Sequence, residues 1–269
     1  AKSDADMFIG YWKECKPRRL FGSLEVWDLL TRARGNPLRP QKKGAVLTVL
    51  NCVSYASLAP RTSTRLTKSS GNQYIFYIAT GYGAVSSGRR TVDIRQGFGI
   101  IIPPGVEFTL RNSGENPLTL YVIEEPLPRG FKPAGDMAVK NDFDKPVSTN
   151  ARRLDFRYWL FSPGDGLAAI TGMDQIVFLP RTYVPPHVHL PEEEEVWIAL
   201  DDMKIQIGRQ QRLLPAGAAY KPPSDSVTPH VNINDSSENR RLLWLMKHRL
   251  TDEEPAEKAP MRQLPDNVI

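Results

Sequence analysis

The sequence predicts an all-β protein built as two jelly-roll barrels of short antiparallel strands, with a short N-terminal arm before them. Three observations favour this architecture. Runs rich in β-branched, aromatic and other apolar residues are short, and turn-forming residues separate them. The 23 prolines and 19 glycines are spread along the whole chain, as many short strands joined by turns require. A weak internal repeat also relates the two halves of the chain.

The order of these runs predicts the domain organisation. We expect an arm at residues 1–45, a first barrel at 46–130, a connector at 131–150, a second barrel at 151–250 and a tail at 251–269. Within the arm, residues 23–30 predict a short helix capped by Ser23, with Leu24, Trp27 and Leu30 on one face. The clearest strand runs are residues 46–50, 73–78, 91–94, 118–123 and 156–160.

Composition narrows the function classes. The 269 residues include 41% hydrophobic and 24% charged residues, which is ordinary for a soluble globular protein. No apolar run approaches the roughly 18 residues that span a bilayer, so we expect no membrane partner. Lys plus Arg exceeds Asp plus Glu by 35 − 30 = 5, which favours small anionic ligands slightly by electrostatic steering. The basic residues form no aromatic-interleaved stripe, so nucleic acid is not an expected partner.

The two cysteines and the first residues of the chain give less information about function and location. Cys15 and Cys52 are too few for a metal cluster, and whether they pair is left open. The chain opens on Ala1 without a methionine, which is compatible with a processed exported protein or with a shortened chain. We expect an exported bacterial protein, periplasmic or extracellular, with the cytoplasm as the alternative.

Three of the four histidines lie in two short segments. In a strand, residues i and i+2 share a face, so His187 and His189 can direct two imidazoles into one cavity, where His230 can join them. The acidic run at 192–195 offers a carboxylate; we expect Glu194, with Glu193 as the alternative. Such a nitrogen and oxygen set suits one divalent Mn, Fe, Ni, Co or Zn ion. The alternative is a few surface histidines beside a solvated acidic run.

These residues resemble the motifs of the cupin superfamily. His187, His189 and Glu194 match its H-x-H-x(3,4)-E segment, and His230 with Asn234 matches its later H-x3-N segment. Asp201 and Val227 stand where the two motifs have glycine. The resemblance implies two double-stranded β-helix barrels, a bicupin, in which the ion keeps coordination positions open for water or substrate. It also implies a possible homodimer.

The internal repeat indicates that only the second barrel holds metal. At an offset of 120 residues, Ile198 and Ala199 repeat Ile78 and Ala79. At this offset His187, His189 and Glu194 fall on Thr67, Ser69 and Tyr74, and after a small gap His230 falls on Phe108. None of these four residues holds a divalent ion well, so we expect a metal-free first barrel.

Further residues near the motifs are candidates for chemistry. For proton transfer we consider Tyr183, Lys221 and Tyr220, and for binding an anionic substrate Arg181, Trp197 and Gln206. Asp225 or a spare glutamate could accept the outer N–H of a ligating histidine. For each of them, ordinary packing or solvation is the alternative. His248 follows an apolar strand beyond both motifs, and we expect it to be non-catalytic.

Three functions compete at this stage. The first is a metal-dependent isomerase or lyase acting on a small anionic substrate, a sugar acid or oxo-acid; the layout resembles the 5-keto-4-deoxyuronate isomerases, which have a metal-free first barrel. The second is a non-haem iron or copper dioxygenase, because several cupin dioxygenases use the same three-histidine, one-glutamate set. The third is a non-catalytic, metal-stabilised protein that binds a sugar or another small ligand.

Overall fold

The computed structural model describes residues 4–144, 147–149 and 155–248, and the regular secondary structure of these residues is almost entirely β-strand. The first eleven strands are β1 Ile9–Tyr11, β2 Pro17–Leu20, β3 Leu24–Arg32, β4 Ala45–Leu47, β5 Cys52–Leu58, β6 Asn72–Thr80, β7 Tyr82–Ser87, β8 Arg90–Arg95, β9 Phe98–Ile102, β10 Thr109–Asn112 and β11 Leu118–Pro126. The next eleven are β12 Ala138–Asn141, β13 Val147–Thr149, β14 Asp155–Phe161, β15 Gly172–Phe178, β16 Thr182–Tyr183, β17 Glu194–Ala199, β18 Met203–Ile207, β19 Gln210–Leu214, β20 Ala218–Tyr220, β21 His230–Asn234 and β22 Arg240–Lys247. Short 3₁₀ helices cover Ala5–Phe8, Trp12–Glu14, Asp142–Asp144 and Pro163–Asp165.

The strands form two jelly-roll barrels, as the sequence predicts. In the first barrel a large sheet, ordered β12-β9-β6-β11-β5-β3-β2 with β4 beside β3, faces a small sheet ordered β10-β7-β8. In the second barrel the large sheet is β1-β20-β17-β22-β15-β14-β13 and the small sheet is β16-β21-β18-β19. Apolar side chains fill the space between the two sheets of the first barrel, and Phe76 and Phe108 lie at its centre.

The N-terminal arm is part of both barrels, and the helix predicted at 23–30 is wrong. That segment lies in β3, which pairs with β2 on one side and β5 on the other. Leu24 and Val26 are buried while Glu25 between them is exposed, which is the alternation of a strand. A bulge between Asp28 and Leu30 then changes the register. The apolar spacing of Leu24, Trp27 and Leu30 therefore imitates a helical face.

Each barrel supplies a carboxylate that accepts backbone N–H groups of the other barrel: Glu125 from the first and Glu194 from the second. Glu125 at the end of β11 is buried and accepts the N–H groups of Ala169 and Ile170 in the second barrel. Burial raises the pKa of Glu125, and these N–H groups oppose that rise. The hydroxyl of Tyr121 also donates to the carbonyl of Ala199, at 2.9 Å. One continuous apolar core joins the two large sheets around these contacts.

Equivalent backbone contacts confirm the alignment of the two halves. Thr67 pairs with Phe108 in an isolated antiparallel bridge, and His187 pairs with His230 in the same way. Asn112 and Asn234 occupy equivalent positions in the two halves, and their side chains make equivalent contacts. The Asn112 side chain donates to the carbonyls of Leu58, Ala59 and Asn116, and the Asn234 side chain donates to those of Phe178, Leu179 and Glu238. Asn234 therefore ties down a turn.

Other expectations about the chain have mixed outcomes. The predicted connector contributes β12 to the edge of the first large sheet. The predicted tail, 251–269, lies outside the described residues. Cys15 and Cys52 are both free thiols, and burial raises the pKa of Cys52 to about 12. Within the described residues, no helix has the length and apolar character needed to cross a membrane.

Candidate metal centre

Three imidazoles meet inside the second barrel because of one backbone bridge. His187 and His189 lie in the extended segment between β16 and β17, and His230 begins β21. The backbone N–H of His230 donates to the carbonyl of His187 at 3.0 Å, which sets the two segments side by side. Since alternate residues share a face, His187 and His189 both point toward His230.

The fourth member of this cluster is Glu195. His189 Nε2 lies 3.0 Å from His230 Nε2, which lies 3.1 Å from His187 Nε2. Glu195 Oε2 lies 2.8 Å from His189 Nε2, 2.9 Å from His230 Nε2 and 3.9 Å from His187 Nε2. These four residues form a group with the donor types and spacing to hold one metal ion.

The spacing of these atoms matches that of ligands around a cation. With metal–ligand bonds of about 2.1 Å, two ligands at a right angle lie about 3.0 Å apart, and tetrahedral ligands about 3.4 Å apart. Four of the distances in the cluster lie close to the right-angle value. Three imidazole nitrogens and a carboxylate oxygen held this closely require protons or a cation between them.

The outer nitrogen of each imidazole has its own partner. His187 Nδ1 lies 2.9 Å from the carbonyl of Pro185, and His230 Nδ1 lies 3.1 Å from the hydroxyl of Tyr220. His189 Nδ1 faces the carboxylate of Glu193, at 3.5 Å. When Nδ1 donates its proton outward, Nε2 presents its lone pair to the centre, as a metal ligand must.

Tyr220 takes its orientation from a buried amide. Its hydroxyl donates to Asn232 Oδ1 at 2.6 Å, so its oxygen remains available to accept the Nδ1 proton of His230. Both Tyr220 and Asn232 are fully buried. Asp225, which we considered for this outer role, instead accepts N–H groups of its own turn from Val227 and Thr228.

The carboxylate of Glu195 is oriented from the opposite side. Trp244 Nε1 donates to Glu195 Oε1 at 2.7 Å, and this leaves Oε2 facing the imidazoles. Oε2 is buried, and its neighbours are His189 Nε2 and His230 Nε2, at 2.8 and 2.9 Å. Burial by itself raises the pKa of Glu195, but His230 and His189 outweigh this effect and hold the pKa well below its ordinary value.

The histidines respond to burial and to this carboxylate. Burial, with a smaller effect of His230, lowers the pKa of His187 to about 4, so that His187 is neutral near pH 7. For His189, burial lowers the pKa, but the carboxylates of Glu195 and Glu193 together outweigh burial and the net shift is upward. A cation between the ligands would take the place of that proton.

The expectation that Glu194 supplies the carboxylate of the cluster is wrong. Its side chain lies on the opposite face of β17, where its oxygens accept hydrogen bonds from the backbone N–H groups of Thr48, Val49 and Leu50 and from the Thr48 hydroxyl. Glu193, the alternative carboxylate, lies beside His189 Nδ1, outside the cluster.

A one-residue difference between the halves explains the error. In the first barrel Phe76 lies opposite Ile100, and in the second Trp197 lies opposite Tyr220. The second half therefore carries one more residue than the first between the H-x-H segment and the inward-facing aromatic residue. This extra residue shifts the inward position from Glu194 to Glu195.

The other predicted site residues are divided between the two faces of the sheets. Tyr220 and Trp197 point into the barrel, and Trp197 stacks on Trp244 with centroids 5.4 Å apart. Tyr183 pairs with Ile233, and Gln206 with Val231, so alternation turns both side chains to the face opposite His230. Neither belongs to the cluster.

Arg181 and Lys221 also lie away from the ligands. Arg181 is an exposed turn residue with a φ of 58°, beyond the end of β21 that is distant from His230. Lys221 is buried, and its Nζ lies 3.3 Å from Ser224 Oγ. Burial lowers the pKa of Lys221, against the opposing charges of Glu194 and Glu195.

Sequence reasoning missed a second group of residues behind the cluster. The Arg157 guanidinium lies 3.7 Å from the ring centroid of Trp159 and 4.5 Å from that of Trp244, and it pairs with the buried Asp174. The signal for Glu195 was present, because it shares strand parity with Trp197. No sequence signal connected Arg157 with the site. His248 lies near Trp244 and Glu193 rather than among the ligands.

The fold and the histidine cluster together define a protein of two jelly-roll barrels with a candidate metal site in the second. The family model for the AraC-like ligand-binding domain matches residues 71–128, within the first barrel. A comparison with curated protein sequences finds no match.

Solved structures share the fold across both barrels. AerE from Microcystis aeruginosa is similar over 90% of this chain and 100% of its own, with 13% identity and a TM-score of 0.66. Oxalate decarboxylase from Lactobacillus farciminis, in a formate complex, is similar over 90% and 86%, with 10% identity and a TM-score of 0.67. Vicilin from hazelnut, Corylus avellana, is similar over 90% and 85%, with 12% identity and a TM-score of 0.65.

Proposed function

We propose that this protein is a metal-dependent bicupin enzyme whose second barrel binds one divalent transition-metal ion through His187, His189, Glu195 and His230. The observation that carries the proposal is the convergence of three Nε2 atoms and one buried carboxylate oxygen at spacings near 3 Å. The outward anchoring of each Nδ1 supports it, because that arrangement selects the tautomer that binds metal.

The donor set suits Mn, Fe, Ni, Co or Zn. When bound, such an ion can polarise a carbonyl or carboxylate group, or lower the pKa of a bound water. The His187 side chain is 28% exposed, whereas those of His189, Glu195 and His230 are at most 4% exposed. The cluster is therefore open on the side of His187, where a substrate could approach.

A small anionic substrate, such as a sugar acid or an oxo-acid, is the class that the surroundings favour. The net charge of +5 assists the approach of an anion. Among the structural neighbours, oxalate decarboxylase is named for a small dicarboxylate. We propose an isomerase or a lyase reaction on such a substrate.

The buried groups beside the cluster differ in their proposed roles. Tyr220 is a positioning residue that fixes the ring of His230 through its hydroxyl. Lys221 lies away from the ligands, with its Nζ beside Ser224 Oγ, so we do not propose it as the proton carrier. A homodimer and export from the cell remain predictions.

One observation favours a second candidate, a non-haem iron or copper dioxygenase. Trp197 stacks on Trp244 with an interplanar angle of 10°, and Phe178 packs beside Trp197, so aromatic rings line the interior behind the ligands. An apolar interior of this kind suits a reaction with dioxygen.

Elemental analysis of the purified protein tests the metal centre. We expect about one transition-metal ion per chain in the parent protein and in Thr67→Ala, and loss of that ion in His189→Ala. Thr67 is the matched control because it occupies the position of His187 in the first barrel. A parent protein without metal, or a His189→Ala variant that retains it fully, would overturn the proposal.

Activity measurements then separate the reactions. Conversion of sugar acids or oxo-acids without oxygen uptake supports an isomerase or lyase. Oxygen consumption by the iron- or copper-loaded protein supports the dioxygenase. A metal-loaded protein that binds a sugar and converts none of these compounds would be the non-catalytic binding protein.

A further inference from the structure

A second site of a different kind lies in the first barrel, at the loop between β3 and β4. The loop borders an open cavity of about 650 Å³, lined by residues 31–36, 39–42, 45 and 51. Ligand pockets for small molecules have volumes of about 300 to 1,000 Å³. The cavity involves none of the four residues of the metal cluster.

The charge of this cavity is strongly one-sided. The segment 31–42 contains four cationic residues and no acidic residue, and all four cations line the cavity: Arg32, Arg34, Arg39 and Lys42. In the described part of the chain, no carboxylate lies within ion-pairing distance of these four side chains. The neighbouring Lys43 does pair, with Glu14. All four side chains are exposed, and together they give the cavity a positive potential that attracts an anion.

One of these cations is held in place by neutral acceptors. The guanidinium of Arg32 donates to Asn51 Oδ1 at 2.8 Å and to the carbonyls of Thr48 and Val49 at 3.1 and 3.4 Å. These contacts fix its position without cancelling its charge. The Arg32 side chain is therefore ordered before a ligand binds, and binding loses less conformational entropy.

The loop around this cation is also ordered by its own backbone. The N–H of Ala33 donates to the carbonyl of Leu47, and the N–H of Thr31 donates to that of Gly44. Gly44 has a φ of 76°, and a side chain there would meet the carbonyl of Leu29, so glycine is required for this turn. The cavity is thus part of the fold.

We propose that this cavity binds a small non-aromatic anion with at least two phosphate or carboxylate groups. Arginine provides paired N–H donors that match both groups. Residues 31–42 contain no aromatic side chain on which a nucleobase could stack, and a volume of about 650 Å³ suits a small molecule.

Calorimetric titration with pyrophosphate and with citrate tests the proposal. We expect the parent protein to bind one of the two with one site per chain, and the affinity to fall as NaCl is raised. Tighter binding of pyrophosphate identifies the ligand as a phosphate compound, and tighter binding of citrate identifies it as a polycarboxylate. Failure of both probes to bind would overturn the proposal.

Three variants test where the anion binds: two double arginine variants and one variant of the metal cluster. Arg34→Gln with Arg39→Gln should weaken binding at least about 10-fold. Arg89→Gln with Arg95→Gln removes the same charge from equally exposed positions on the first barrel that do not line the cavity, and it should change affinity less than twofold. His189→Ala should leave binding unchanged. Equal losses in the two double variants, or loss of binding in His189→Ala, would overturn the proposal, because the anion would then respond to overall charge or to the metal cluster.

Discussion

Glu194 and Glu195 are adjacent in sequence, yet their carboxylates serve different barrels. Glu195 Oε2 lies 2.8 Å from His189 Nε2 inside the second barrel, whereas Glu194 accepts the N–H groups of a loop in the first barrel, including that of Leu50 at 2.8 Å. Strand alternation separates them, since successive side chains leave β17 on opposite faces. Adjacent residues of one strand therefore contribute to the candidate metal centre and to the contact between the barrels.

Exchanging the two glutamates for glutamine should separate metal binding from stability. Glu195→Gln should weaken metal binding at least about 100-fold, because a neutral amide replaces a charged ligand. Glu194→Gln should lower the free energy of unfolding by about 2 to 3 kcal/mol, because several N–H groups lose a charged acceptor. Metal titration and chemical denaturation measure the two effects. Loss of metal in Glu194→Gln alone would show that the ligand is assigned wrongly.

Removal of the Tyr220 hydroxyl should weaken metal binding without removing a ligand. Tyr220→Phe leaves His230 Nδ1 without its acceptor, and changes of this kind typically cost about 10- to 100-fold in metal affinity. Tyr121→Phe is the matched control, because it removes another buried hydroxyl, the one that donates to Ala199. Metal titration of both variants measures the difference. If both variants bound metal as the parent does, the positioning role of Tyr220 would be wrong.

The stability of the protein should depend on the protonation of Asp142. Burial raises the pKa of this carboxyl to about 6 from an ordinary value of 3.8, although the Tyr77 hydroxyl and Arg241 oppose the rise. The folded protein therefore binds this proton more tightly than the unfolded chain does. The resulting stabilisation is complete below pH of about 4 and is lost as the pH rises through about 6, a change of roughly 3 kcal/mol.

Denaturation at several pH values measures this contribution. Asp142→Asn should remove the decline between pH of about 4 and 7 that the parent protein shows. Asp144→Asn, at an exposed position in the same 3₁₀ helix, should retain the decline. An Asp142→Asn variant with the same pH dependence as the parent would contradict the prediction.

The equivalent asparagines Asn112 and Asn234 should contribute equally to stability. Each donates to three carbonyl groups at 2.7 to 3.1 Å. Replacement of either by alanine leaves buried carbonyls unsatisfied and should cost about 2 to 3 kcal/mol. Denaturation of both variants checks the magnitude, and metal analysis should show no loss from Asn234→Ala. A stable Asn234→Ala protein that lost its metal would instead make Asn234 part of the site.

The sequence predicted the histidines better than it predicted the carboxylate. His187 and His189 are two residues apart, so their common face does not depend on register, and His230 followed from its spacing to Asn234. The choice within residues 192–195 required the parity of β17, which one additional residue in the preceding loop reverses. The sequence also could not show which face Tyr183 and Gln206 occupy, because only their pairing with β21 decides it.

The sequence by itself determined the all-β class, the two-barrel repeat and the three imidazoles, because all three are expressed in local spacing and in residue type. Only the tertiary structure decided that Glu195 faces those imidazoles, that residues 24–32 form a strand, and that Arg157 and Trp244 lie behind the cluster. These features depend on which strands pair and in which register. Contacts between residues distant in the chain set that register, and no local pattern records them.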